Sequence, residues 1–234
     1  GERLILVAGD SSHTTYYHLH PALGPSDSIR VDGRYNFGPI AVDVDRDGRP
    51  EIVGFSADGD GILITVDTAG APVAMSVRAA VSTGYRTTVN PVAADFDNDG
   101  FPDIIIGGQN AIYAFNDRLI LKTDFPIMVD PRFPQMDVIA SPICGNVEGA
   151  AVEVGPKPDI VFPTESGNYY SFHRRKSWGY PLNSGEQTAG ISGSPAILFE
   201  HEGEGRLGYL GGDGWYYLWR TAYYPTTVYW PMGG

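Results

Sequence analysis

Cysteine, positive charge and helical periodicity are all scarce in this chain of 234 residues. Its single cysteine, Cys144, lies in an apolar stretch and can form no intrachain disulfide, so it reads as a buried structural thiol. Only 16 Lys and Arg stand against 28 Asp and Glu, a net charge of −12. That balance excludes nucleic acid and anionic lipid as general partners, because both would be repelled. No apolar run approaches the eighteen or so residues of a membrane span, and no membrane insertion is expected. No signal peptide opens the chain, which starts at Gly1 in the middle of a repeat; a processed product or an excised piece is expected. The nearest approach to a 3.6-residue pattern, Val77–Ser82, is short and β-branched, which argues against a helix. Catalytic signatures are missing too: there is no G-x-S-x-G elbow, no H-E-x-x-H, no P-loop and no dinucleotide-binding glycine pattern.

Glycine and proline, by contrast, are plentiful, at 30 and 18 residues, and suit a chain of short strands and turns. They also mark a repeat. Gly38-Pro39-Ile40, Asn90-Pro91-Val92, Ser141-Pro142-Ile143 and Ser194-Pro195-Ala196 each open an apolar run, with the prolines 52, 51 and 53 residues apart. Within residues 38–78, four short apolar runs (Pro39–Val44, Glu51–Phe55, Ile62–Val66 and Pro72–Val77) are separated by Gly, Asp and Pro. This pattern reads as a four-stranded antiparallel meander. Later units keep the plan, with turns at Gly108–Asn110, Ser166–Asn168 and Asp213-Gly214. A four-stranded sheet repeated at this period is the blade of a β-propeller. The expected fold is all-β: a propeller, or a propeller segment, of about four to five four-stranded blades in one domain. Repeats run over about 1–37 (partial), 38–89, 90–140, 141–193 and 194–234. Leu4–Ala8 and Thr14–His20 align with the second and third strands of later units, so the first unit lacks its first strand. Thr226–Pro231 reads as a last strand, and either the termini meet in one blade or an exposed blade edge invites self-association.

Two units carry an acidic loop of one pattern, Asp43-Val-Asp45-Arg-Asp47-Gly48-Arg49-Pro50-Glu51 and Asp95-Phe-Asp97-Asn-Asp99-Gly100-Phe101-Pro102-Asp103. Ca²⁺ takes six to eight oxygen ligands, and acids at positions 1, 3, 5 and 9 with a carbonyl at position 7 supply them. The expected metal ligands are therefore Asp43, Asp45, Asp47, the Arg49 carbonyl and Glu51, and Asp95, Asp97, Asp99, the Phe101 carbonyl and Asp103: two Ca²⁺ sites. An EF-hand is excluded, since position 12 has no Glu and strands flank each loop. The stretches Gly145–Ala150 and Glu200–Gly205 depart from the pattern, and neither is expected to bind strongly.

These loops, the Pro-apolar starts and the entries Pro50-Glu51-Ile52, Pro102-Asp103-Ile104 and Pro158-Asp159-Ile160 resemble the FG-GAP/VCBS repeat family, found in integrin α-subunit propellers and many bacterial surface proteins. The resemblance implies a non-enzymatic, extracellular or cell-surface, calcium-stabilised adhesion or assembly module that meets a protein or glycan partner. Some members of the family are polysaccharide lyases, so a polysaccharide-active enzyme or carbohydrate-binding accessory is the alternative. The surplus of C-terminal aromatics (Trp215, Tyr216, Tyr217, Trp219, Tyr223, Tyr224, Tyr229 and Trp230) suggests it, although packing between blades is the simpler use of these rings. His13, His18 and His20 read as blade-face histidines, and Arg174-Arg175-Lys176 as a solvated or ion-paired loop.

Overall fold

The computed structural model describes residues 4–20, 24–35, 37–67, 74–129, 137–145, 158–165, 168–173, 175–176, 182–183, 196–210, 215–221 and 228–229. These contain strands and turns, and no helix. Five antiparallel sheets follow one another along the chain. The first holds β1 (Leu4–Gly9), β2 (His13–His20) and β3 (Gly24–Asp32). The second holds β4 (Phe37–Val42), β5 (Glu51–Phe55), β6 (Asp60–Asp67) and β7 (Ala74–Ser82). The third holds β8 (Val92–Ala94), β9 (Asp103–Gly108), β10 (Ala111–Phe115) and β11 (Ile127–Met128). The fourth holds β12 (Ile143–Gly145), β13 (Asp159–Pro163), β14 (Asn168–His173), β15 (Arg175–Lys176) and β16 (Leu182–Asn183). The fifth holds β17 (Ile197–His201), β18 (Glu204–Leu210) and β19 (Tyr216–Arg220), and the short β20 (Val228–Tyr229) lies apart from it.

The sheets stack through their faces, and the strand period of two explains how. Along β5, Ile52 joins a cluster with Tyr16 and Val31 of the first sheet, while Val53 and Phe55 join one with Ile104, Ile106 and Phe115 of the third. Along β9, Ile105 turns the other way, toward Cys144, Ile160 and Phe162 of the fourth sheet. Val161 of β13 then meets Leu198, Leu207 and Tyr209 of the fifth. Successive side chains on a strand point to opposite faces, so a continuous apolar run serves two neighbours. This is why β5, β9 and β13 are buried along their whole length. Each fully buried Ile or Phe contributes about 1.5–3 kcal/mol, so the contacts between sheets hold the stack together. Connectors add backbone hydrogen bonds to both neighbours: Thr83 N–H donates to Gly59 O at 3.0 Å, and Gln109 N–H to Arg86 O at 2.9 Å. The fold is therefore that of a β-propeller, and among the described residues no ring is closed.

The structure bears on three of the sequence expectations. Val77–Ser82 is strand, within β7, in keeping with its short, β-branched pattern. The Glu200–Gly205 stretch is a two-residue hairpin turn: His201 pairs with Glu204, and Glu202 and Gly203 take φ of 52° and 76°. That geometry is the tight turn that joins adjacent antiparallel strands, and it replaces the long loop of the acidic units. Finally, β20 pairs with β12 (Cys144 with Tyr229, Gly145 with Val228) and not with the first sheet, so of the two expected outcomes for the termini, closure in one blade is not formed among the described residues. The segment 146–157, the turns Ser166-Gly167 and Asp213-Gly214, and Arg174, Tyr223, Tyr224 and Trp230 lie outside the described residues.

Candidate metal centre

Both acidic loops join the first strand of a sheet to the second, β4 to β5 and β8 to β9, and they fold alike. Each turns on a left-handed residue at position 4 (Arg46, φ 60°; Asn98, φ 58°) and a glycine at position 6 (Gly48, φ 85°; Gly100, φ 95°). Glycine adopts that conformation without steric cost. The first Asp of each loop then accepts the glycine N–H: Gly48 to Asp43 Oδ2 at 2.9 Å, Gly100 to Asp95 Oδ2 at 3.0 Å. The Asp at position 5 accepts the N–H two residues on, from Arg49 to Asp47 Oδ1 and from Phe101 to Asp99 Oδ1, both at 2.8 Å. The acid at position 9 anchors the loop from below. Glu51 Oε2 accepts Val44 N–H at 3.1 Å, and Asp103 Oδ2 accepts Phe96 N–H at 3.2 Å, with the two acids only 1% and 2% exposed.

In the first loop, oxygens of Asp43, Asp45 and Glu51 lie within 4.8 Å of one another. Asp43 Oδ1 is a buried oxygen with no hydrogen-bond partner. A buried carboxylate oxygen costs free energy unless something satisfies it, and a cation held among these three acids would. The residues therefore fit a bound metal. Asp47 and Arg49 lie on the same loop but outside this trio. In the second loop Asp95, Asp97 and Asp99 converge within the same 4.8 Å, while Asp103 and Phe101 stand outside the group. Both clusters could hold an ion.

Basic side chains that the sequence did not flag reach both loops. Arg78 Nη1 lies 2.5 Å from Asp45 Oδ2, with Nη2 3.5 Å from Asp117. Lys122 Nζ lies 2.5 Å from Asp103 Oδ1, 2.7 Å from Asp97 Oδ2 and 3.9 Å from Asp99 Oδ2. Burial pushes the Asp103 carboxyl up to about 6, although Lys122 pulls it down. Burial alone would lower the Lys122 ammonium, but its bonds to Asp103 and Asp97 outweigh this and raise it. Glu51 is raised by burial, partly offset by the Val44 N–H. Arg46, from the first loop, lies over the ring of Phe101 in the second at 5.7 Å, so the two loops touch.

Elsewhere, His13 opens β2 and is half-buried. Its Nδ1 is 2.8 Å from Arg30 Nη2 and 2.7 Å from Ser12 Oγ, and its Nε2 is 3.3 Å from Asp32. His13 thus lies at the end of a strand, beside Asp32 and Arg30. The fifth sheet turns Leu207, Tyr209, Tyr217 and Trp219 toward the fourth, leaving Ile197, Leu210, Tyr216 and Leu218 exposed on its other face and Trp215 72% exposed beside them.

No family model matches this chain, and no curated protein does. Solved structures do. The crystal structure of BBS1N in complex with ARL6DN, soaked with lead, matches with a TM-score of 0.55 at 13% identity, covering 84% of this chain and 57% of that one. A mercury-soaked crystal of the same complex gives 0.52 at 15% identity, with 84% and 54% covered. The WD40 domain of SCAP from fission yeast gives 0.53 at 6% identity, with 88% and 50% covered. The chain thus spans about half the length of these propellers, and at such identities the likeness establishes the fold alone. The neighbours also correct one expectation. They point to intracellular proteins and not to extracellular ones, so the extracellular or cell-surface location is withdrawn. Acidic loops on a propeller rim are a local electrostatic device, and they carry no mark of compartment.

Proposed function

We propose that this chain is a non-enzymatic protein-interaction module of FG-GAP-like repeats, stabilised by Ca²⁺ at its first acidic loop. The observation that carries the reading is the first loop, where three carboxylates converge within 4.8 Å and a buried Asp43 oxygen lacks a partner. Oxygen ligands alone, in a flexible loop, suit a hard cation such as Ca²⁺. Such an ion would tie β4 to β5 at the rim and add stability by mass action. The surface offered to a partner is the open face of the fifth sheet, with Ile197, Leu210, Tyr216 and Leu218. The net charge of −12 favours a partner that surrounds apolar anchors with basic residues. Neighbouring propellers support this, since BBS1N was crystallised with a protein partner.

Thermal melting in Ca²⁺ and in chelator tests the metal half. Ca²⁺ is expected to raise Tm, and Asp45→Ala to abolish the rise; a Tm indifferent to both sinks the calcium reading. For the surface, a photo-crosslinking residue at position 216 or 218 is expected to capture one discrete protein that the same residue at exposed Ser28 does not. Binding in a glycan array that Trp215→Ala removes would instead assign the exposed aromatics to sugar.

A further inference from the structure

The two loops share a backbone, yet their charges are neutralised differently, and strand register shows that the difference is built in. In the second sheet Ile52, the residue after Glu51, pairs with Ile64, which pairs with Val77; Arg78 comes next. In the third sheet Ile104, the residue after Asp103, pairs with Phe115, which bridges to Leu121; Lys122 comes next. Arg78, on β7, and Lys122, next to the residue that bridges to β10, therefore hold one repeat position, from which each reaches the acidic loop of its own blade. In the fourth sheet, whose loop has lost its aspartates, the same path runs from Ile160 to Phe172 to Lys176, and the next residue in sequence is Ser177. At this repeat position a basic residue thus stands in both acidic units and a serine in the fourth.

The two cations do not reach equally far. Arg78 meets the first loop only at Asp45, and Asp43 Oδ1 stays unpartnered. Lys122, 16% exposed, enters the second loop and places its ammonium among Asp97, Asp103 and Asp99, three of that loop's expected ligands. Lysine is a compact point charge with three donors, suited to a site of several separate oxygens.

We infer that Lys122 is the resident cation of the second loop: its ammonium stands where a divalent ion would, so this loop is complete without metal and takes Ca²⁺ only when the lysine is removed. The first loop remains the divalent site. This rests on the calcium reading above for the first loop, while the part played by Lys122 stands on its own geometry. A propeller rim with one metal-dependent and one metal-independent loop follows.

Native mass spectrometry and calorimetry with CaCl₂ on the full chain test it. The unaltered protein is expected to bind one ion, Lys122→Met two, Asp45→Ala none, and Asp45→Ala with Lys122→Met one. Two ions on the unaltered protein, with no change on Lys122→Met, overturn the inference. Should none of the four bind calcium, the calcium reading fails, and Lys122 is judged by melting in chelator. There Lys122→Met is expected to lower Tm by a few degrees, and Asp97→Asn to recover at least half of the loss. Additive effects of the two substitutions overturn the resident-cation role. Lys122→Gln repeats the measurement with a polar side chain if the Met variant folds poorly.

Discussion

Replacing Glu51 by Gln should change the sign of its effect on stability with the metal present or absent. Glu51 is 1% exposed, its Oε2 accepts Val44 N–H, and its carboxylate lies within 4.8 Å of oxygens of Asp43 and Asp45. A Gln oxygen keeps the Val44 bond, and its amide donates to the carboxylates in place of repelling them. At this separation each like-charge pair costs about 0.9 kcal/mol in water-like surroundings and more where the dielectric is lower. Glu51 enters two such pairs. Arg78, attracted to the same cluster, returns part of that, leaving a net relief of about 1 kcal/mol. In chelator Glu51→Gln should therefore raise Tm by about 2–4 °C for a domain of this size. In Ca²⁺ at a hundred times its dissociation constant the unaltered protein gains about 2.7 kcal/mol by mass action, or about 5–11 °C. The variant, short of a charged ligand, loses most of that gain, and the two melting curves change order between conditions. Acid gives a second check. Burial raises the Glu51 pKa, so in chelator its contribution is full below the ordinary carboxyl range and lost as pH rises through the raised value. The Gln variant lacks that slope. A Glu51→Gln shift of the same sign and size in chelator and in Ca²⁺ would refute the reasoning.

Other consequences are more local. A Cβ on Gly54 would lie 2.3 Å from the Tyr16 hydroxyl oxygen, so Gly54→Ala should cost about 1–3 kcal/mol by overpacking. Tyr16→Phe, which deletes a buried hydroxyl with no partner, should be neutral or stabilising alone and recover part of that loss in chemical denaturation. Burial holds the phenol of Tyr16 above its ordinary range and pushes that of Tyr113 up to about 12. Unfolded tyrosine ionises near pH 10, so this contribution is full below about pH 10 and fades toward about pH 12. Phenolate absorbance should then show fewer tyrosines titrating near pH 10 in the native protein than in denaturant. Cys144 is buried, with its thiol raised by burial, and should resist a thiol reagent until the chain is unfolded; native reactivity on the mixing timescale would contradict its placement between the third and fourth sheets.

Much of the fold is legible in the chain because the repeat is written in two registers at once. Proline and Asp-Gly punctuation divides it into strands, and the uninterrupted apolar runs Ile52–Val53 and Ile104–Ile106 announce strands buried on both faces. A pattern of that kind specifies each sheet from local sequence. It does not specify where a terminal strand goes. Val228 and Tyr229 offer only two residues of pairing, compatible with any free edge, and they lie against Cys144 and Gly145, some eighty positions earlier in sequence. Edge pairing is chosen by tertiary context, which composition does not encode.

The acidic loops were equally legible, since ligands at alternate positions with glycine at the sixth are a local code. Their counter-ions were not. Lys122 and Arg78 are isolated basic residues separated from their loops by strands and turns of unequal length, 19 residues from Asp103 to Lys122 and 27 from Glu51 to Arg78. Only backbone pairing across each blade, through β7 in one and the Phe115–Leu121 bridge in the other, brings them to one position. An alignment of the units by pairing, in place of spacing, would have exposed the match. The physical lesson concerns charge. Closely set carboxylates demand a cation, and the fold answers that demand from a residue beside the third strand of the same blade. How deeply the cation reaches, to Asp45 alone or in among Asp97, Asp99 and Asp103, decides whether a loop of unchanged backbone still needs a metal.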